Sequence, residues 1–542
     1  MTTSRMKTFS GVQRSNGNYG AISSDTASAS VDRKRTIGTF SAVFIIFNRI
    51  IGTGIFATPG TILNFSGSIG LSLIMWVIGA VIAFAGMRVY IVWGIALPHN
   101  GGEKNYLEFL FPRPRRLITS IYAANAVLLA YAAGNSLVFA EYALKAVAPH
   151  LLDAPSPPPG KAVSWLTPSP VRLVAFSCLS GAMLLHGLHV SAGLRLQNVL
   201  GISKIGILCV VVATGAVAAT GRLAEGVEHP DNFDSWSKIW EGSRWGGSVM
   251  CACLYNVIWS YVGFSNANYA LSEMRRPERT LRIAGPIAIG VVTVFYLAAN
   301  LAYFSAASKD AITGSGRLVA ALLFKNVWGP RTERILSGFV ALSALGNVLS
   351  VSFSQGRVNQ SLGKEGILFF SKVWASEWPR KAPLAGLALH CIVCSIVVFA
   401  LPAGDAYNFV LNVISYPLAV INCVISFGLV WTLLPATYTS GVTRKIASHS
   451  TILASFLSAP PSDPDPQPSN DVVFPRPTPS LVLSALFFGF ANVFLFVLPF
   501  FKPPNGAEPY QHLPYWTHAA GGWSVFLVGF AWWYFQTRNY TS

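Results

Sequence analysis

Apolar segments of membrane length recur along almost the whole of this chain. They lie at about 37–64, 68–97, 118–148, 169–189, 196–220, 246–273, 283–307, 331–359, 384–401, 405–434, 480–500 and 517–537. Crossing the hydrocarbon takes roughly 20 residues at about 1.5 Å each, and a backbone placed there must satisfy its own hydrogen bonds. The expected fold is therefore all-α and integral to the membrane, with twelve transmembrane helices. Only 11% of the 542 residues are charged, against about 25% in soluble proteins.

The net charge is +17. In a soluble protein that would raise the question of nucleic acid, but here the basic residues sit in short stretches between apolar runs, so they report topology. Lys104, Arg113, Arg115 and Arg116 follow the second segment, Arg275, Arg276, Arg279 and Arg282 the sixth, and Lys364, Lys372, Arg380 and Lys381 the eighth. Residues 221–245, on the opposite side, are acidic on balance. This bias puts both termini in the cytosol, the arrangement expected of a multi-pass plasma-membrane protein; the mixed 308–334 loop runs weakly against it. Trp93, Trp165, Trp240, Trp516 and Tyr534 lie near segment ends, as interfacial anchors do.

All seven cysteines fall inside apolar segments. No disulfide framework and no disulfide-linked partner is expected. Cys251-x-Cys253 and Cys391-x-x-Cys394 lack further ligands nearby, so no metal and no other cofactor is expected. Residues 1–36 are polar and read as a disordered cytosolic tail, in which Lys7 and Lys34 could accept ubiquitin. A ten-helix core (37–434), a proline-rich cytosolic linker (435–479), the last two helices (480–537) and a short cytosolic C-terminus (538–542) complete the expected organisation.

Two segments carry breaks. In IIGTGIFATPG (50–60), Gly52, Gly54, Gly60 and Pro59 interrupt a helix near mid-membrane depth. Backbone groups freed there are tolerated only where they line a cavity, and broken helices near the midplane mark transporter substrate sites. Amides around Gly52, Thr53, Gly54 and Ile55 would bind a carboxylate without any basic side chain. A packing face also favours glycine, but at a spacing of four rather than two. The sixth segment, YNVIWSYVGFSNANYALSEM (255–274), is too polar for a lipid-facing helix. Carbonyls freed at Trp259, Ser260 and Gly263 would accept from an ammonium, and the two breaks together suit a zwitterion. Breaks in the first and sixth segments are placed as in a five-plus-five inverted repeat.

Other polar groups at depth are weighed in the same way. Trp259 is either an aromatic gate over the substrate or a core aromatic. Ser343 and Asn347, one turn apart, line the pocket or bond a neighbouring helix. Lys204 is the strong cation well inside the fifth segment, and takes the place of a sodium ion, titrates with a proton, or snorkels to the interface. Arg88 and Glu141 lie nearer segment ends, where snorkelling is expected. Gly101 and Gly102 turn the chain into an amphipathic helix bearing Glu103, Tyr106 and Phe109, expected at the inner gate.

The 50–60 motif, the 255–281 stretch and LSALGNVLSVSFSQGR (342–357) together resemble the amino acid–polyamine–organocation superfamily, in its L-type amino acid transporter branch. GGEKNYLEFLF (101–111) is most similar to fungal-type high-affinity methionine permeases. The resemblance covers about 37–540. It implies a LeuT-like fold of twelve helices with the first and sixth broken, carboxylate binding around Thr53, Gly54 and Ile55, and amine binding around Trp259, Ser260 and Gly263. It also implies Trp259 as the gate, Ser343 as a pocket serine, Lys204 in the sodium-site region, and proton coupling. Residues 149–168 lack the external cysteine through which animal relatives bind a heavy chain. Val262 stands where many relatives carry a second glycine.

The expected activity is inward transport of a neutral L-amino acid, methionine or another sulfur-containing or large apolar one, coupled to protons. The alternatives are an exchanger, a permease of γ-aminobutyrate, choline or polyamine type, or a non-transporting sensor. An enzyme is disfavoured, because no nucleophile–base pair, paired carboxylate or metal cluster stands at membrane depth; His186 and His189 read as polar groups at a helix end.

Overall fold

The structure is a computed structural model. It describes residues 38–97, 102–152, 169–434 and 474–541, apart from 266–267, 269–273, 275, 380–381, 403, 476 and 505–507. The expected 1–36 tail, nearly all of the 435–479 linker and most of the 149–168 loop, Trp165 included, lie outside the described residues.

Every regular element among the described residues is a helix. Along the first apolar segment run α1 (Thr39–Ile50), α2 (Gly54–Ala57) and α3 (Pro59–Ser66). α4 (Ile69–Ala96) leads to the short α5 (Glu103–Leu110), and α6 (Leu117–Leu128) and α7 (Ala133–Val147) share the next segment. Then come α8 (Pro170–Leu188), α9 (Val190–Ala219), the short α10 (Trp236–Trp240), α11 (Gly247–Tyr261) and α12 (Pro277–Ala306). α13 (Lys309–Gly314), α14 (Val319–Lys364), α15 (Ser371–Trp374), α16 (Leu384–Ala400) and α17 (Ala406–Leu433) follow, and α18 (Pro479–Val497) and α19 (Thr517–Thr541) end the chain.

Nine helical stretches among the described residues are long and apolar enough to cross a membrane. α11, α16 and α19 fall outside that set. Large apolar side chains such as Val199, Ile202, Val294, Leu483, Phe490 and Leu527 stand exposed around the perimeter, where a bilayer would cover them. The protein is thus a multi-pass membrane protein.

Local chemistry sets the helix starts. Ser68, Ser169, Ser308 and Thr478 each accept a bond from a first-turn amide of α4, α8, α13 and α18, relieving donors that a helix leaves orphaned. Pro59, Pro170, Pro277 and Pro479 occupy the first turn, where no amide hydrogen is needed. Gly329, at φ +81°, turns α14 just before Pro330.

Packing then fixes the centre. α4 lies against α11, α12 and α18, and α14 against α7 and α9. Trp76 and Tyr261 both meet the Tyr296 ring edge-on, with centroids 5.3 Å away. A Cβ on Gly215 would lie 2.0 Å from that of Ala302, so α9 and α12 touch through small residues, as membrane helices commonly do. Trp93 is fully buried and stacks on Tyr106 of α5 at 5.4 Å. It is therefore a core residue and not the interfacial anchor its position suggested. The same stack docks α5 against the bundle, with Glu103 buried.

Candidate substrate site

The first apolar segment loses its helix between α1 and α2. Ile51 adopts an extended backbone with ψ 104°, and helix resumes only at Gly54. Glycine is a poor helix former, and Pro59 cannot donate the bond that Ile55 O would normally receive. The tertiary structure answers three of these carbonyls with tyrosines. Tyr303 donates its hydroxyl to Ile55 O at 3.2 Å, Tyr142 to Phe56 O at 3.0 Å, and Tyr296 lies 3.0 Å from Ile50 O. The amides at Gly54 and Ile55 begin a helix and so have no intrahelical acceptor.

The second break faces the first. α11 ends at Tyr261, after which Val262 is extended and Gly263 takes φ +123°, a conformation that favours glycine. Ser260 O lies 2.9 Å from the Tyr296 hydroxyl, and Trp259 O accepts from Val262 N at 3.2 Å. The two chains touch where both helices stop: a Cβ on Gly54 would lie 2.4 Å from Ser260 Oγ. Thr58 Oγ1 and Ser260 Oγ are 3.2 Å apart. The remainder of the sixth segment, including Asn266, lies largely outside the described residues.

Between the breaks is a cavity of about 130 Å³. Gly52, Thr53, Gly54, Trp259, Ser260 and Asn347 all line it. Four of the residues expected at the site do not. Ile55 is buried behind the cavity and Gly263 packs toward Arg49. Ser343 is buried one turn from Asn347, with its hydroxyl unpartnered among the described residues. Lys204 is also buried and outside the lining.

The cavity also has residues that the sequence reading missed. The third apolar segment is interrupted between α6 and α7, at 129–132, and contributes Asn125, Tyr131 and Asn135. Thr53 Oγ1 donates to Asn135 Oδ1 at 2.7 Å, tying the first break to the third segment. The signal in the sequence is two asparagines in an apolar run; the interruption itself, through Leu129, Ala130, Tyr131 and Ala132, contains neither glycine nor proline. Val351, Ile414 and Leu418 supply an apolar wall. Among the described residues, Arg49 is the charged group in the lining and no carboxylate lines the cavity.

Lys204 Nζ donates to Asn347 Oδ1 and lies 3.4 Å from Asn48 O. The ammonium is thus held inside the bundle beside α1 and does not snorkel. Glu141 does not snorkel either: it forms a bidentate pair with Arg317, with Arg317 Nε 3.0 and 2.9 Å from its two carboxylate oxygens. Arg88 reaches α18, where it donates to Ser484 Oγ at 2.8 Å and to Ser480 O at 3.2 Å. Among the described residues no group of three or more potential metal ligands comes together.

The amino acid permease family model matches residues 37–526. The chain belongs to this family. It lies within the amino acid–polyamine–organocation superfamily that the motifs resemble. This permease is 39% identical over 496 residues to the high-affinity methionine permease of Saccharomyces cerevisiae, covering 92% of this chain and 78% of that protein. It is 31% identical over 405 residues to the low-affinity methionine permease of the same yeast, covering 73% and 70%. It is 27% identical over 383 residues to the human b(0,+)-type amino acid transporter 1, covering 69% and 72%. A membrane-embedded member of a permease family is a transporter and not an enzyme.

Proposed function

We propose that this permease imports a neutral L-amino acid, methionine or another sulfur-containing or large apolar one, by alternating access coupled to protons. The observation that carries the proposal is the cavity between two opposed backbone breaks. On one side stand Thr53 and the helix-start amide of Gly54, suited to the carboxylate, with the Ile55 amide next in the same turn behind the lining. On the other, carbonyls at the end of α11 suit the ammonium. A carbonyl has two lone pairs, so Ser260 O keeps capacity beside Tyr296. Trp259 lines the cavity in a position to gate it. Val351, Ile414 and Leu418 suit an apolar side chain, and a lining without carboxylates among the described residues disfavours cationic substrates.

Lys204 is assigned the site that a coupling cation would otherwise fill, between Asn48 of α1 and Asn347 of α14. Twelve spans in a five-plus-five inverted repeat, cytosolic termini and plasma-membrane residence belong to the same reading, as do the cytosolic linker at 435–479 and ubiquitination of the 1–36 tail. The names of both yeast relatives favour methionine.

The test is uptake of labelled methionine into proteoliposomes under an imposed inward proton gradient, with the other amino acids as competitors. Uptake that rises with the gradient and is blocked by large apolar amino acids supports the proposal. Uptake requiring a trans amino acid instead of a gradient makes the protein an exchanger, and no uptake of any amino acid refutes transport.

A further inference from the structure

One face of the cavity is fastened shut by groups that the substrate site does not use. On α7, Glu141 and Tyr142 lie about 9 Å beyond Asn135 at helical rise, on the side away from Arg49, Asn125 and Val351. Arg317 reaches them from the connection between α13 and α14, pairing with Glu141 through Nε and Nη2. Its guanidinium stands 5.3 Å from the centre of the Tyr407 ring, at the start of α17. The Tyr142 hydroxyl lies 3.0 Å from both Arg317 O and Phe56 O, so one side chain bridges the connection and the outer half of the broken helix. A Cβ on Gly60 of α3 would lie 2.9 Å from Gly316 O. The connection therefore sits directly on α3.

We infer that Glu141, Tyr142 and Arg317 form the clasp that closes this face of the cavity, and that the transport cycle opens it. The inference rests on the proposed transport reading, which places this face outside. The clasp differs from the other ties on α7. Lys145 pairs with Glu333 at 3.1 Å, and Arg334 donates to the carbonyls of Ala146 and Val147 at 3.0 Å each. Those bonds join α7 to the body of α14, two long helices in broad contact. Arg317 instead stands in a connection and Phe56 in a half-helix, and the Tyr142 hydroxyl, Glu141 and the Tyr407 ring tie the two to α7 and α17. Opening this face needs the half-helix and the connection to withdraw together. The hydrogen bonds of Tyr142 and Arg317 must then break, together with that of Tyr303 to Ile55 O. Arg317 is the positioning residue, since its carbonyl and guanidinium hold both sides, and it takes no part in the cavity lining.

Glu141 is buried and Arg317 half-buried, so removing one partner leaves a largely desolvated charge unpaired, whereas removing both does not. That distinction gives the test two variants. Val351→Cys supplies a thiol in the cavity, to be labelled by a membrane-impermeant methanethiosulfonate applied separately to each face of the full-length protein. The chain without that cysteine is the control for its seven native thiols. In the Val351→Cys background the thiol should label from the inner face and be protected from the outer. Arg317→Met should raise outer-face labelling about tenfold or more, and Glu141→Leu with Arg317→Met should do the same in a protein without a stranded charge. Should Arg317→Met fail to fold, the double variant decides. Unchanged outer-face protection in the folded double variant overturns the clasp, as does equal labelling from both faces before any clasp residue is changed. Labelling does not require transport, so loss of the clasp and absence of amino acid uptake are read separately.

Discussion

Gly54 offers the sharpest perturbation, because it lies where the two interrupted helices touch. An alanine there would put its Cβ 2.4 Å from Ser260 Oγ and 2.8 Å from Ser260 Cα. A rotamer change could move the hydroxyl, but not the α-carbon. Ordinary contact begins near 3.4 Å, so α2 and α11 must part by roughly 0.6 Å to clear that α-carbon. Inserting a methyl into packed structure costs about 1–3 kcal/mol. Charged against the substrate-binding geometry, that is a loss of about 5- to 150-fold in kcat/KM. Gly134 is the matched control: it too lies beside the cavity, next to Asn135, but its Cβ would meet nothing nearer than 3.6 Å. Gly134→Ala should stay within about twofold of wild type. Both variants are compared with wild type by initial rates of labelled methionine uptake in proteoliposomes holding equal amounts of protein. Gly54→Ala transporting as fast as Gly134→Ala would show that the contact between the breaks does not shape the site.

Three further outcomes are expected. Thr53→Val removes the donor that reaches Asn135 Oδ1 at 2.7 Å, leaving a buried carbonyl oxygen short of a partner; KM for methionine should rise about 5- to 10-fold, and an unchanged KM would make the bond incidental. Lys204→Ala should change the pH dependence of uptake, since it empties the cation position between Asn48 and Asn347; an unaltered pH profile reduces Lys204 to a structural cation. Methionine methyl ester should compete poorly with methionine, because the proposed site offers the Gly54 amide to a charged carboxylate; equal competition would count against carboxylate recognition.

What could be read from the sequence was what backbone chemistry announces locally. Gly52, Gly54 and Pro59 mark a helix that cannot continue, and the apolar runs mark where helices must lie. The cavity's composition was less accessible. Spacing along a helix gives a face but not a depth, so Ser343 and Asn347 share a face while only Asn347 meets the cavity. The interruption at 129–132 has no propensity signal and depends on tertiary partners. Glu141 looked like a charge seeking the interface because its partner, Arg317, is 176 residues away.

The same limit applies to the first break, and it bears on what the break can bind. The sequence shows that carbonyls are orphaned there, but not what satisfies them. Three tyrosines from two helices, Tyr142 of α7 and Tyr296 and Tyr303 of α12, supply hydroxyls to Phe56, Ile50 and Ile55. Each hydroxyl is delivered to an acceptor. A buried carbonyl left unpaired costs about 1–3 kcal/mol, so these bonds are part of what makes an interrupted helix stable at this depth. The donors are treated differently. Amides at the start of α2 have no intrahelical partner, and the cavity opens beside them at Thr53 and Gly54. With Ile50, Ile55 and Phe56 O met by tyrosines and Asn48 O by Lys204, the groups this break leaves toward the cavity are amide donors, which suit an anion. The ammonium must then be served from the other break, at Trp259 and Ser260, and the separation of the two tasks onto two helices is what the proposal of a zwitterionic substrate rests on.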